Sequence, residues 1–199
     1  MRDRVLIGIA GAPGAGKTTL ADAIVTAARS RGIAAVSVPM DGFHLADVEL
    51  DRLGLRARKG ALETFDGDGY VSLLERLRPS PGSGSGSGSG IVYAPAFDRE
   101  IEQPIAGAIA IPPETRLIVT EGNYLLDDEG PWDRIAGLAD EVWFVQVDDE
   151  RRRERLRARH VRFGKTEPEA ARWVDEVDEP NARRVTATRD RAARIVELD

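Results

Sequence analysis

Residues Gly11 to Thr18 read GAPGAGKT and fit the pattern G-x-x-x-x-G-K-[ST]. They lie between an apolar run (Val5, Leu6, Ile7, Ile9) and a helical pattern that begins near Lys17. A strand, a glycine-rich turn and a helix in that order dictate a local geometry. The glycines let successive backbone N–H groups turn inward around an anion, and the helix presents its positive dipole end to the same charge. Nucleotide phosphates suit such a cradle: the lysine reaches the β- and γ-phosphate oxygens, and the following hydroxyl binds the accompanying Mg2+. The sequence therefore predicts nucleotide contacts from Gly11, Ala12, Pro13, Gly14, Ala15, Gly16, Lys17, Thr18 and Thr19, with ATP and Mg2+ as cofactors.

The rest of the chain alternates in type. A first helix is expected over Lys17 to Ser30 and a buried strand over Ala34 to Val38, closed by Pro39-Met40-Asp41-Gly42-Phe43-His44. Leu45 to Leu53 reads as a short helix, Arg56 to Gly69 as a polar loop and Tyr70 to Leu77 as another helix. A central strand, Arg116 to Thr120, runs into Glu121-Gly122-Asn123-Tyr124. A further strand, Glu141 to Val147, leads into a basic helix from Asp149 to about Arg162. Helical stretches at Pro168 to Val177 and Asn181 to Ala193 precede a last short strand, Arg194 to Leu198. Such alternation predicts an α/β fold: a doubly wound parallel sheet covered on both faces, in one domain over 1–199.

In that fold, ligands bind at the carboxyl ends of the strands, so residues directly after strands are the ones to weigh. Asp41 and Glu121 hold such places. Glu121 is the candidate to hold Mg2+ together with Thr18, because Mg2+ takes few carboxylates and keeps several waters. Asp41 suits the task of accepting the proton of an attacking hydroxyl. The alternative for either acid is a capped or solvated turn carboxylate. Asp149 to Lys165 carries seven arginines and one lysine against three acids. A block like this is usually a solvated face, but in a phosphate-transferring enzyme it can form a lid over the nucleotide. Arg152, Arg155, Arg159 and Arg162 recur at helical spacing and Gly164 permits a hinge, so a lid is expected over about 149–166, with Arg155 and Arg159 at the chemistry. Asp41, His44, Lys59, Arg99, Glu121 and Tyr124 are candidate acceptor contacts, the alternative being a hydrogen-bonded structural role for His44 and ordinary loop charges for Lys59 and Arg99, and Trp132, Trp143 and Trp173 read as core.

Composition excludes other classes. The chain has no cysteine, which removes disulfides, zinc thiolates and thiol catalysis. A net charge of -6 and a basic block without interleaved aromatics speak against a nucleic-acid partner. No apolar run approaches membrane-spanning length, and the first strand begins almost at once, leaving no room for a signal peptide. A cytoplasmic protein, monomer or homodimer, with a small-molecule hydroxyl acceptor is the expectation. Gly82 to Gly90 (GSGSGSGSG) is low-complexity and reads as an inert flexible loop spanning roughly 15 Å.

The segments IGIAGAPGAGKTTLA, MDGFHL, RKGALETFDGDGY, APAFDREIEQPIAGAI, VTEGNYLLDDEGPW, RLRARHVRFGK and DEPNARRV together resemble the P-loop kinases that include uridine kinase, bacterial pantothenate kinase and phosphoribulokinase. The resemblance is strongest to bacterial nucleoside/nucleotide kinase family proteins and fructose transport system kinases. It implies a three-layer P-loop kinase sandwich with a helical lid, and transfer of the ATP γ-phosphoryl group to a hydroxyl of a nucleoside, sugar or pantothenate-like acceptor. By similarity Asp41 corresponds to the base, Glu121 to the acid near Mg2+, and the arginines around Arg153 to Arg159 to the lid.

Overall fold

The structure is a computed structural model that describes residues 4–78 and 90–198, so the expected inert loop, apart from Gly90, lies outside the described residues. In chain order the strands are β1 (Val5–Gly11), β2 (Ala35–Pro39), β3 (Val92–Asp98), β4 (Gln103–Ile111), β5 (Leu117–Gly122), β6 (Glu141–Gln146) and β7 (Arg194–Glu197). The helices are α1 (Lys17–Arg29), α2 (Asp47–Leu53), α3 (Gly67–Leu77), α4 (Ile135–Leu138), α5 (Asp149–Arg162), α6 (Glu167–Trp173) and α7 (Glu179–Ala187).

Five strands form one parallel sheet in the order β2-β5-β1-β6-β7. Alternation along the strands divides the core. Leu6, Ile118 and Phe144 point to one face, where α3 brings Tyr70 and Leu74 and the chain after β5 brings Tyr124 and Trp132. Ile9, Val119 and Val145, at alternate positions, point to the other, against Ala21, Val25 and Ala28 of α1. The strands read as continuous apolar runs because both faces are covered. The doubly wound α/β fold expected from the sequence is the fold observed.

Register decides what meets at the carboxyl ends. Ile9 of β1 and Pro39 of β2 both stand beside Glu121 of β5. Chain continuing from these three points, into the phosphate loop, Asp41 and Asn123, therefore leaves the sheet along one edge.

Two regions differ from the sequence reading. Residues 91–115 contain an antiparallel hairpin, β3–β4, whose register shifts between Ala94 and Ala96 around Pro95. Its alternation is masked by small residues, two prolines and a bulge. The expected polar loop Arg56 to Gly69 instead buries Leu62, Thr64 and Phe65, and its end already belongs to α3, capped by Asp66 Oδ1 accepting from Gly69 N at 2.8 Å. Between α6 and α7, Val174–Asp178 forms a π-helical turn, a wider winding that turns Asp178 into the site described next.

Candidate active site

The strand ends open into a cavity of about 1150 Å3, walled by the phosphate loop, the turn after β2, the chain after β5, the hairpin tip, α5 and the π turn. In the phosphate loop Gly14 and Gly16 hold φ of +78° and +97°, which side chains other than glycine's rarely adopt. Space is as tight as backbone geometry. A Cβ on Gly14 would stand 2.8 Å from Leu156 Cγ and 3.0 Å from the carbonyl of Arg152, so α5 packs directly on the loop. Pro13, Gly14, Gly16, Lys17, Thr18 and Thr19 face the cavity, whereas the side chains of Ala12 and Ala15 are buried behind it.

Lys17 is only 8% exposed, yet no carboxylate among the described residues is hydrogen-bonded to its ammonium: Nζ donates to Ala12 O at 3.0 Å and to Asn123 Oδ1 at 2.8 Å. Burial pulls its pKa down to about 8, with Glu121 and Asp41 pulling the other way from within the cavity. Thr18 Oγ1 donates to Glu121 Oε1 at 2.8 Å, and burial together with nearby Asp41 pushes the Glu121 carboxyl above its usual range. A cation would relieve that cost. Thr18 and Glu121 thus fit Mg2+, which needs one hydroxyl, one or two carboxylates, phosphate oxygens and water rather than a protein cage. No group of three or more acidic, histidine or cysteine ligands occurs among the described residues.

Asp41 sits on the 3-10 turn Met40–Phe43 that terminates β2. Arg99, at the hairpin tip, donates from Nη2 to Asp41 Oδ2 at 2.9 Å. Burial alone would raise the Asp41 carboxyl, but the surrounding cations outweigh it and hold the carboxyl below its ordinary range. His44 contributes little to that at neutral pH, because burial lowers its own pKa. Its Nδ1 meets the carbonyl oxygen of Asp41 at 2.8 Å, which only a protonated Nδ1 can satisfy, and its ring stacks near Phe65 (4.0 Å) and Phe97 (4.6 Å). The effective cations are therefore Arg99, Lys17 and Arg159. Gly42 makes the hairpin's approach possible: a Cβ there would lie 2.4 Å from the carbonyl oxygen of Pro95.

Lys59 reaches the same region, with Nζ 5.3 Å from the Phe97 ring centre and paired to Asp47 at 2.7 Å. Tyr124 does not reach it. Expected as an acceptor contact, it is 1% exposed and donates its hydroxyl hydrogen to Gly60 O at 2.7 Å, so it supports the loop carrying Lys59 from behind. Asn181 Nδ2 donates to the same carbonyl at 3.3 Å.

On α5 the expected row of arginines divides. Arg155 and Arg159 line the cavity. Arg152 is buried, donating to Glu179 Oε1 at 2.5 Å and Asp149 Oδ1 at 3.0 Å, because the first turns of α5 are packed between the phosphate loop and α7. Arg162 is exposed with its guanidinium over Phe163. His160 Nε2 bonds Asp178 Oδ2 at 2.8 Å, tying α5 to the π turn, and Gly164 turns the chain with a φ of +99°. Trp173, expected in the core, instead lines the cavity with Lys165 Nζ 4.5 Å above its ring.

Sequence reasoning missed Asn123, His160, Trp173, Asp178 and Asn181 as site residues. Asn123 was within reach of the rule that found Glu121, since it follows the same strand. The others are single residues on helices, where neither spacing nor residue type separates a cavity wall from a solvated or core face.

Comparison with known proteins places the chain in a family. The model of the phosphoribulokinase / uridine kinase family matches residues 6–157. A Schizosaccharomyces pombe protein named "Putative uridine kinase" is 37% identical over 185 residues, covering 89% of this chain and 76% of its own. A crystal structure described as a "putative fructose transport system kinase" from Silicibacter sp. TM1040 superposes with a TM-score of 0.87 at 35% identity, over 98% of this chain and 91% of that one. YFH7 from Saccharomyces cerevisiae shares the fold with a TM-score of 0.80 at 21% identity, over 99% and 93% of the two chains. With its phosphate loop, its strand-end acids and the family match over most of its length, the chain belongs to the phosphoribulokinase / uridine kinase family of P-loop kinases.

Proposed function

We propose that the protein transfers the γ-phosphoryl group of ATP to a hydroxyl of a small molecule, with Asp41 receiving the hydroxyl proton. The observation that carries this reading is the presence in one cavity of a nucleotide phosphate cradle and a half-buried, cation-flanked carboxylate that the cradle does not need. A protein that only bound or hydrolysed nucleotide would have no use for Asp41 held in place by a separate hairpin.

In the proposed reaction the acceptor oxygen forms a bond to the γ-phosphorus, the bond from that phosphorus to the β,γ-bridging oxygen breaks, and ADP leaves. Lys17, Thr18 and the loop N–H groups hold the β- and γ-phosphates. When bound at Thr18 and Glu121, Mg2+ would neutralise charge developing between those phosphates. Asp41 is ionised at neutral pH, so its free lone pairs accept the hydroxyl proton and aim the oxygen, while Arg99 fixes the carboxylate's orientation. Arg155 and Arg159 approach from α5 to stabilise the transferring group, and His44, Lys59 and Arg99 surround the acceptor. No helix among the described residues is long and apolar enough to cross a membrane.

The test is ADP release from ATP and Mg2+ across nucleosides, sugars and pantothenate-like alcohols. Acceptor-dependent release is expected, and Asp41→Asn should bind ATP normally while kcat falls about 100- to 10,000-fold. Equal ADP release with and without every acceptor would show an ATPase, and a loss in Asp41→Asn under about tenfold would pass the base role to another group.

A further inference from the structure

The acceptor half of the cavity gathers cations around one aromatic ring. The Arg99 guanidinium lies 5.8 Å and the Lys59 ammonium 5.3 Å from the centre of Phe97. These cations come from two separate segments, the hairpin tip and the loop before α3, so their convergence is a property of the fold and not of sequence adjacency. Two of the acids there are already engaged. Asp41 takes a single N–H of Arg99, leaving that residue's Nε and Nη1 without a hydrogen bond among the described residues, and Asp178 is taken by His160. Arg159 enters the same space from α5, half-buried, and its guanidinium has no hydrogen bond or ion pair among the described residues. Lys165 above Trp173 likewise has no carboxylate partner among them.

Cations turned into a partly dry cavity cost free energy through lost hydration and mutual repulsion, and an anion placed among them removes both costs. Burial and then the charge of Arg99 are what most disfavour the protonated form of Arg159, while the charges of Asp178, Asp41 and Glu102 act the other way without a hydrogen bond to its guanidinium among the described residues. The γ-phosphate accounts for Arg159 in part. It does not account for the gathering of Arg99 and Lys59 at Phe97, since they belong neither to the phosphate loop nor to α5; each has one carboxylate partner, Asp41 at 2.9 Å and Asp47 at 2.7 Å, and N–H groups to spare.

We propose that the acceptor is itself an anion, a hydroxy acid or a phosphorylated polyol, whose carboxylate or phosphate docks among Arg99, Lys59 and Arg159 while its hydroxyl meets Asp41. This rests on the kinase reading above. Arg99 then has two tasks, holding Asp41 through Nη2 and offering its remaining N–H groups to the acceptor, a fork geometry that guanidinium provides and ammonium does not.

The experiment is calorimetric binding to the full chain saturated with Mg2+ and AMP-PNP, so that the γ-phosphate position is filled and no anion can borrow it. The probes are two matched pairs, glycerate with glycerol and ribose 5-phosphate with ribose. At least one anion should bind about tenfold or more tightly than its neutral partner, and the pair showing the preference distinguishes carboxylate from phosphate. Arg99→Met and Lys59→Met should each reduce that preference to about threefold or less with AMP-PNP affinity unchanged, melting temperature serving as the check that each variant is folded. Neutral partners binding as tightly as the anions, no anion binding to the loaded protein, or a preference that survives in both folded variants would overturn the proposal. Failure of the kinase reading would look different: the wild type would not bind AMP-PNP, or would release ADP from ATP at the same rate with and without acceptor.

Discussion

Lys17 enters the cavity as a cation held by two neutral oxygens, with a pKa lowered to about 8. Placing nucleotide phosphates against its ammonium adds the direct counter-charge that is missing, so binding should raise the pKa back toward or above the ordinary lysine value of about 10.4. The proton balance follows. At pH 9 a group of pKa 8 is protonated about 9% of the time, and in the nucleotide complex almost always, so binding should draw about 0.9 proton from buffer; at pH 7 the same group is about 91% protonated and contributes only about 0.1. Affinity should correspondingly weaken by about tenfold between pH 7 and pH 9. The unliganded fold should respond with the opposite sign. A lysine whose folded pKa lies below its unfolded value releases a proton on folding, so it costs most stability below pH 8, and that cost should diminish as pH rises from about 8 toward 10.4. The assay is titration calorimetry of MgADP at pH 9 in two buffers of different ionisation enthalpy, ADP being fully deprotonated there. Lys17→Met serves as the control. Proton uptake below about 0.2 in the wild type, or equal uptake in Lys17→Met, would refute the account of a desolvated lysine recharged by phosphate.

Other substitutions test separate parts of the site. Lys17→Ala should abolish turnover while the melting temperature stays at or above that of the wild type, because it deletes a buried, poorly compensated charge; steady-state kinetics beside thermal melting decide it. Gly42→Ala should push the hairpin off the Asp41 turn, costing about 1–3 kcal/mol by chemical denaturation and raising the acceptor KM with ATP affinity little changed, since the new Cβ meets the Pro95 carbonyl at 2.4 Å. Arg152→Met should cost about 2–4 kcal/mol, Arg153 at 3.1 Å from Glu179 offsetting part of the lost pair, and a change under about 0.5 kcal/mol would deny Arg152 its anchoring role. Tyr124→Phe removes one of two donors to Gly60 O and should raise acceptor KM about two- to tenfold at unchanged nucleotide affinity.

Legibility in the sequence followed how locally each feature is specified. The phosphate loop is legible because its glycines, its lysine and its hydroxyl are written consecutively and the flanking strand and helix are continuous in the chain. Asp41 and Glu121 are legible because parallel-sheet topology turns a position after a strand into a position at the site. Arg152 was misjudged because helical spacing tells which residues share a side but not what stands opposite: the same side is occupied by the phosphate loop at Arg152 and opens onto the cavity one heptad later at Arg159. The hairpin escaped notice because its pairing is a relation between two segments, and Pro95, Pro104 and the alanines leave neither with a strong pattern alone. Trp173 shows the same limit, since a large apolar residue on a helix reads as core until the π turn is seen to rotate the helix around it.

The carbonyl of Gly60 receives one hydrogen bond from the exit of the central strand and another from α7, residues 64 and 121 positions further along the chain. An oxygen with two lone pairs is thereby saturated, and the Gly60–Ala61 peptide, one residue beyond Lys59, is pinned from two directions by parts of the protein at different distances in sequence. The loop is therefore not a free module. A graft of residues 56–66 from a relative with another acceptor would bring that relative's side chains but not their aim, unless the donors at 124 and 181 travelled with it; exchange of acceptor preference within this fold should need changes at all three places together.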